Sequence, residues 1–156
     1  MALTGIRLKN PVHFLALGCG LGLAPKAPGT FGTLAALPLF YLLQSLALIH
    51  YLIVVAVLFV VGIYLCERTA RDMGEHDHPA IVWDEVVGML ITMAALPAGW
   101  IWWLVAFVAF RLFDIVKPWP IRLLDKHVHG GFGIMIDDVL AGLFALAVVQ
   151  GCAWWF

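Results

Sequence analysis

The stretch "VVGMLITMAALPAGWIWWLVAFVAF", residues 86 to 110, holds no charged side chain, and the reading of its middle decides the fold. A helix rises about 1.5 Å per residue and the hydrocarbon core of a bilayer is about 30 Å thick, so this run is long enough for one crossing. A single crossing would bury Pro97, Gly99, Trp100, Trp102 and Trp103 at the bilayer centre. Tryptophan prefers the water interface, and Pro-Ala-Gly is turn chemistry. The run is therefore expected to form a hairpin with arms of about Pro79 to Leu96 and Gly99 to Lys117. Lys117-Pro118 then ends the second arm, because a residue before proline is pushed out of helical geometry.

Working outward, two more uncharged runs cover residues 27–66 and 139–156. The first would reach roughly 60 Å as one helix, so it too must turn back. The turn is expected near His50, with spans from Thr30 to Ile49 and from Tyr51 to Cys66. A last span is expected from near Ile134 to the C-terminus, with Trp154 and Trp155 anchoring the far interface. The chain is 63% hydrophobic and 12% charged, whereas soluble globules carry charge on roughly a quarter of their residues. The expected fold is all-α: one domain, residues 1–156, built as a polytopic membrane helix bundle of about five spans. Val12 to Ala24 is too short to cross and is expected to be re-entrant or to lie on the surface. Arg7 and Lys9 before "VHFLALGCGLGLA" resemble a signal peptide, but His13 interrupts the apolar run and Pro25 would fall at the cut, so no cleavage is expected.

The charges fall in three clusters: Arg7 to Lys26, Glu67 to Glu85, and Arg111 to Asp138. The expected threading puts every Lys and Arg on one face, which the positive-inside rule assigns to the cytoplasm. A net charge of −1 and the lack of a basic stripe argue against a nucleic-acid partner. Cys19, Cys66 and Cys152 form no CxxC and are read as free thiols. No cysteine is followed six residues later by arginine, which excludes that phosphatase pattern.

The same threading brings Asp84, Glu85, Asp114, Asp137 and Asp138 to similar depth at one membrane face. Carboxylates crowded there repel one another unless a cation compensates. Magnesium suits them, since it takes one or two protein carboxylates, keeps waters and completes its shell with phosphate. First-turn acids complementing a helix dipole are the plainer account of Asp137 and Asp138. Arg111 and Lys117 flank Asp114 at i, i+3, i+6 spacing, and Arg111 has the fork for a phosphate clamp; ordinary ion pairing is the competing account. Arg122 is a further candidate for substrate contact. In "GLGLAPKAPGT", residues 20–30, Lys26 and the helix start at Gly29-Thr30 offer a weak anion cradle without Walker spacing. The pairs at His76/His78 and His127/His129 lack accompanying cysteines, so proton donation by His78 or His129 is favoured over zinc binding. Trp83 and Trp119 are read as interfacial anchors.

Three blocks then resemble a known family: "PGTFGTLAALP" (28–38), "HDHPAIVWDEVVGM" (76–89) and "FRLFDIVKPWPIRLLDKHVHGGFGIMIDDVLAG" (110–142). Together, from about Asn10 to Gly142, they look like phosphatidylglycerophosphatase A. The resemblance implies a magnesium-dependent phosphatase of the bacterial inner membrane, with a cytoplasmic site and a phospholipid substrate, that converts phosphatidylglycerol phosphate to phosphatidylglycerol. Its motif positions fall on Pro28, Gly29, Thr30 and Gly32, on His76 to His78 and Trp83 to Glu85, and on Arg111, Asp114, Lys117, Pro118, Arg122, Asp125, His129, Gly130, Gly131, Asp137 and Asp138. On this reading Asp84 and Asp137 join His78 and His129 as catalytic candidates, with water or an aspartate as nucleophile. Lys26, Thr30, Arg111, Lys117 and Arg122 would hold substrate. A cation transporter or channel using the same acids is the alternative, although such acids usually sit near the bilayer midplane. The Asp-Gly-x-x-Ala-Arg pattern of alcohol phosphatidyltransferases is absent, as is the arginine and histidine pattern of membrane acid phosphatases.

Overall fold

A computed structural model describes residues 6–155. The described residues are helical, with no strand. The helices are α1 (Pro11–Ala16), α2 (Pro28–Leu43), α3 (Leu48–Met73), α4 (Trp83–Thr92), α5 (Trp100–Val116), α6 (Ile121–His127) and α7 (Gly130–Trp155), with a 3₁₀ segment, Gly18–Leu23, after α1. Phe156, where the last expected span ends, lies outside the described residues.

Two helices, α3 and α7, are long and apolar enough to cross a membrane, and α2 is a shorter apolar helix. Five full-length spans is therefore more than the helix lengths provide. The departure is greatest at α4, which at 10 residues is about 15 Å long instead of running from Pro79 to Leu96. Before it, Pro79 to Val82 is held out of helical form, and the Val82 N–H donates to Ala16 O at 2.9 Å. After it, the chain turns through Met93 to Ala95, where Ala95 has φ 53°. The expected break between the two halves of the 86–110 run is present, opened a few residues ahead of Pro97.

The first turn is also displaced. It falls at Gln44 to Ala47, and His50 lies inside the first turn of α3. The polar pair Gln44-Ser45, not the histidine, marks the break; Gln44 Nε2 folds back to donate to Tyr41 O. α3 continues past Cys66 to Met73 and stops at Gly74, whose φ of 72° suits glycine. The Gly74 and Glu75 N–H groups close the helix end on Arg71 O and Ala70 O. Residues 11–23 form no crossing helix, as expected. His13 buries itself there and bonds Asp72 Oδ2 through Nε2 at 2.9 Å, tying this segment to α3.

At the centre, α7 packs against α3, α4, α5 and α6. Glycines set the spacing. A Cβ on Gly142 would stand 2.5 Å from Gly88 O, and one on Gly131 would stand 2.0 Å from Ile63 O. Backbones this close are how helices associate where no hydrophobic effect drives them. α4 is the innermost element, with Val87, Met89 and Leu90 fully buried. Trp83 belongs to this core rather than to an interface: it is 8% exposed, and its indole N–H donates to Leu58 O at 3.1 Å. Trp119 is 81% exposed, as an interfacial anchor requires. Ile53, Val57, Val60 and Tyr64 leave an apolar face of α3 uncovered by protein, which suits lipid.

The two ends of the bundle differ. Gln44, Leu46 and Leu48 from the α2–α3 turn share a cavity of ≈ 290 Å³ with Ala95 to Gly99 from the α4–α5 turn. Gln150, near the end of α7, donates there to Ala94 O and Ala95 O, each at 3.0 Å. The α3–α4 loop, α6 and the acids gather at the other end.

Candidate active site

Three helices deliver acids to one cavity of ≈ 340 Å³ at that charged end. Asp84 and Glu85 come from the first turn of α4. Arg111 and Asp114, three residues apart on one face, come from the last turns of α5, and Lys117 comes from the residue that caps it. Asp137 and Asp138 come from α7. Ala27, Pro28 and Gly29 at the start of α2 complete one wall, and Asp77 reaches the cavity from the α3–α4 loop. All five acids expected to meet do so.

Asp137 and Asp138 are not first-turn acids. α7 begins at Gly130, two turns earlier, so dipole complementarity at the helix start does not account for them. They are 6% and 3% exposed. The first turn of α7 has its own partners: the Gly131 N–H donates to Glu67 Oε2, and the Gly130 N–H to His76 Nε2 at 2.6 Å. Gly29 and Gly32 lie close against α4 and the residue before it. A Cβ on Gly29 would stand 1.9 Å from Glu85 Oε1, and one on Gly32 would stand 2.4 Å from Val82 Cβ and 2.5 Å from Glu85 Oε2. The negative charge lying against the start of α2, where the helix dipole favours it, is thus Glu85 itself.

Two bases neutralise part of the acid cluster. Arg111 Nη1 pairs with Glu85 Oε1 at 3.2 Å and with Asp114 Oδ2, three residues on along α5. It also reaches the Oγ1 of Thr33 at 3.5 Å, while that hydroxyl donates to Gly29 O at 2.8 Å. Lys117 Nζ bonds Asp137 Oδ2 at 2.6 Å and Asp125 Oδ1, on α6, at 2.7 Å. Burial of Lys117 works against its charge, but hydrogen bonds from both aspartates and their charges outweigh this and hold the ammonium above the ordinary lysine range. Lys117 itself sits at φ 44°, a left-handed conformation that costs a non-glycine residue about 1–2 kcal/mol.

Several oxygens in this cluster have no partner. Glu85 Oε2, Asp137 Oδ1 and Asp138 Oδ2 are buried and make no hydrogen bond, and a buried acceptor left so is expensive. Among the described residues, Asp84 and Asp138 form no ion pair with any base. Asp84 Oδ1 accepts only the Glu85 N–H, at 3.0 Å. Hard oxygen donors with free lone pairs fit a divalent cation of the magnesium type. No three His, Cys, Asp or Glu side chains among the described residues stand close enough together to hold a metal ion by themselves.

Other expected participants lie elsewhere. Lys26 and Arg122 are exposed and Thr30 half-buried, and none of the three lines the cavity. His78 caps its own loop, Nδ1 accepting the Ala80 N–H at 3.1 Å, with Nε2 3.7 Å from Glu75. His129 is exposed and stands edge-on to His76, ring centroids 5.3 Å apart. Neither histidine lines the acidic cavity. Asp77, one of the motif positions, lines the cavity, and Thr33, which carries no site signal in the sequence, reaches it through Arg111.

A family model described as Phosphatidylglycerophosphatase A matches residues 14–153. A protein of that name from Escherichia coli (strain K12) is 50% identical over 96% of this chain and 87% of its own length. Another, from Haemophilus influenzae, is 52% identical over 96% of this chain and 93% of its own. A putative phosphatidylinositol-3-phosphatase from Bacteroides thetaiotaomicron is 38% identical over 90% of this chain and 92% of its own. No solved structure matches. With the match running through all three blocks that supply the cavity, this chain belongs to the phosphatidylglycerophosphatase A family.

Proposed function

We propose that this enzyme hydrolyses the terminal phosphate of phosphatidylglycerol phosphate, giving phosphatidylglycerol and inorganic phosphate, with magnesium bound in the acidic cavity. The observation that carries the reading is the charge imbalance there. Arg111 and Lys117 are shared among Glu85, Asp114, Asp125 and Asp137, which leaves Asp84 and Asp138 with no base. The names of the similar proteins support a phosphatase acting on a phospholipid.

Magnesium would be held chiefly by Asp84 and Asp138, with Glu85, Asp114 and Asp137 around it, and would supply neutralisation of the phosphate charge. The chain's own groups do the rest. Lys117 contacts a phosphate oxygen from the α5 end of the cavity. Arg111 holds Glu85 and Asp114 in place and turns its remaining N–H groups to the substrate. Water attacks phosphorus opposite the glycerol oxygen, the bond from phosphorus to that oxygen breaks, and the departing oxygen takes a proton from solvent. Asp84 orients the attacking water. His78 and His129 are given no role in this step, because neither lines the cavity.

For the membrane we propose five passes, in which α2, α3, α5 and α7 cross and the short α4 makes up its pass with the non-helical residues on either side. The end rich in Lys and Arg faces the cytoplasm of a bacterial inner membrane. The test is phosphate release from phosphatidylglycerol phosphate by purified protein, with magnesium and with excess chelator. Turnover that stops in chelator and returns with magnesium is expected. Full turnover in chelator would remove the metal from the reading, and no turnover in either condition would remove the phosphatase.

A further inference from the structure

We propose that Asp125 is a positioning residue for this reaction, fixing the Lys117 ammonium so that its third N–H is left for the phosphate of the substrate. The proposal rests on the phosphatase reading above. An ammonium group has three donors in fixed tetrahedral directions and no acceptor. Two of them are taken, by Asp137 Oδ2 at 2.6 Å inside the cavity and by Asp125 Oδ1 at 2.7 Å on α6. Two occupied directions determine the third. Lys117 lines the cavity but Asp125 does not, so Asp125 acts only through the lysine.

The lysine is constrained from its other end as well. Its backbone sits at φ 44°, ψ 61°, ending α5 at Val116. A non-glycine residue keeps such a conformation only where the surroundings over-determine it. A lysine stem is otherwise flexible. Without Asp125 the head is held from one side only, and it relaxes onto Asp137, whose buried Oδ1 has no other partner. The ammonium is then spent on a carboxylate instead of on substrate. Asp125 lies 35% exposed by side chain, so its replacement should not disturb the core.

The experiment measures phosphate release from phosphatidylglycerol phosphate in detergent micelles by full-length wild type, Asp125→Asn, Asp125→Glu, Lys117→Ala and the double variant Lys117→Ala/Asp125→Asn. Asp125→Asn should raise KM about fivefold, the upper end for one accessible ion pair, with kcat changed less than about twofold. Asp125→Glu should restore most of the loss. In the Lys117→Ala background Asp125→Asn should add nothing, because the two residues act as one unit. An unchanged KM in Asp125→Asn overturns the proposal, as does the same fivefold rise without Lys117. A lowered thermal transition that tracks the activity loss and that Asp125→Glu leaves uncorrected assigns Asp125 a structural role and also overturns it. Wild type that releases no phosphate removes the phosphatase reading and this proposal together; an active wild type with an indifferent Asp125→Asn removes this proposal alone.

Discussion

Asp84 and Asp138 carry the heaviest demand of any side chains in the molecule. Asp138 is 3% exposed with one oxygen unpartnered, and Asp84 has only a backbone N–H for company. Charges so placed are tolerated when a ligand compensates them. Asp84→Asn and Asp138→Asn should each lower phosphate release by about 10²-fold or more, the scale of losing a group that stabilises transition-state charge. They should also weaken Mn²⁺ binding followed by electron paramagnetic resonance. The histidines give the opposite expectation. His129→Ala should keep most of its activity, far short of the roughly 10²-fold loss that removing a general acid brings, because the ring packs on His76 outside the cavity. Activity assays on these three variants distinguish the roles. The residue types for this chemistry were legible in the sequence. Which acids stand free and which are already paired was not, since that depends on where Arg111 and Lys117 find their partners across helices.

At the scale of the element, close backbone contact explains more than apolar patterning does. α4 is gripped on one side by α2, with Gly29 and Gly32 against Glu85, and on the other by α7, with Gly142 against Gly88 O. Gly131→Ala should destabilise the fold by about 1–3 kcal/mol, because its Cβ would meet the Ile63 carbonyl, a backbone atom that cannot rotate away. Gly151→Ala is the control: it has open space around it and should leave the thermal transition in detergent unchanged or slightly raised, since alanine is the better helix former. Gly142→Leu should cost more than either and should lower activity as well, since the α4–α7 contact brings Asp84 and Asp138 to one cavity. A Gly142→Leu protein of wild-type stability would contradict this account of the packing.

At the scale of the whole molecule, the separation of its ends organises everything else. Both hairpin turns and the end of α7 lie at one end, and the acidic cavity lies at the other. In right-side-out and inverted membrane vesicles, single cysteines replacing Glu75 and Lys126 should label from the same side, and one replacing Ala98 from the opposite side. Labelling of Glu75→Cys and Lys126→Cys from different sides would break the proposed threading and divide the cavity between two compartments.

Residue order alone is enough to show that this chain is helical, that it carries apolar runs of membrane-crossing length which double back, and that its acids collect toward one end. Length against bilayer thickness, turn chemistry and charge clustering are one-dimensional facts, so a linear reading reaches them. The tertiary structure alone decided that α4 is a short, deeply buried helix, that Trp83 belongs to the core, and that the first turn lies at Gln44 to Ala47 and not at His50. It also decided that His78 and His129 do not line the acidic cavity, while Thr33 reaches it through Arg111. The reason is physical: hydrogen bonds such as Val82 to Ala16, and backbone contacts through glycine, join residues distant in sequence, and no periodicity or spacing records which distant residue that will be.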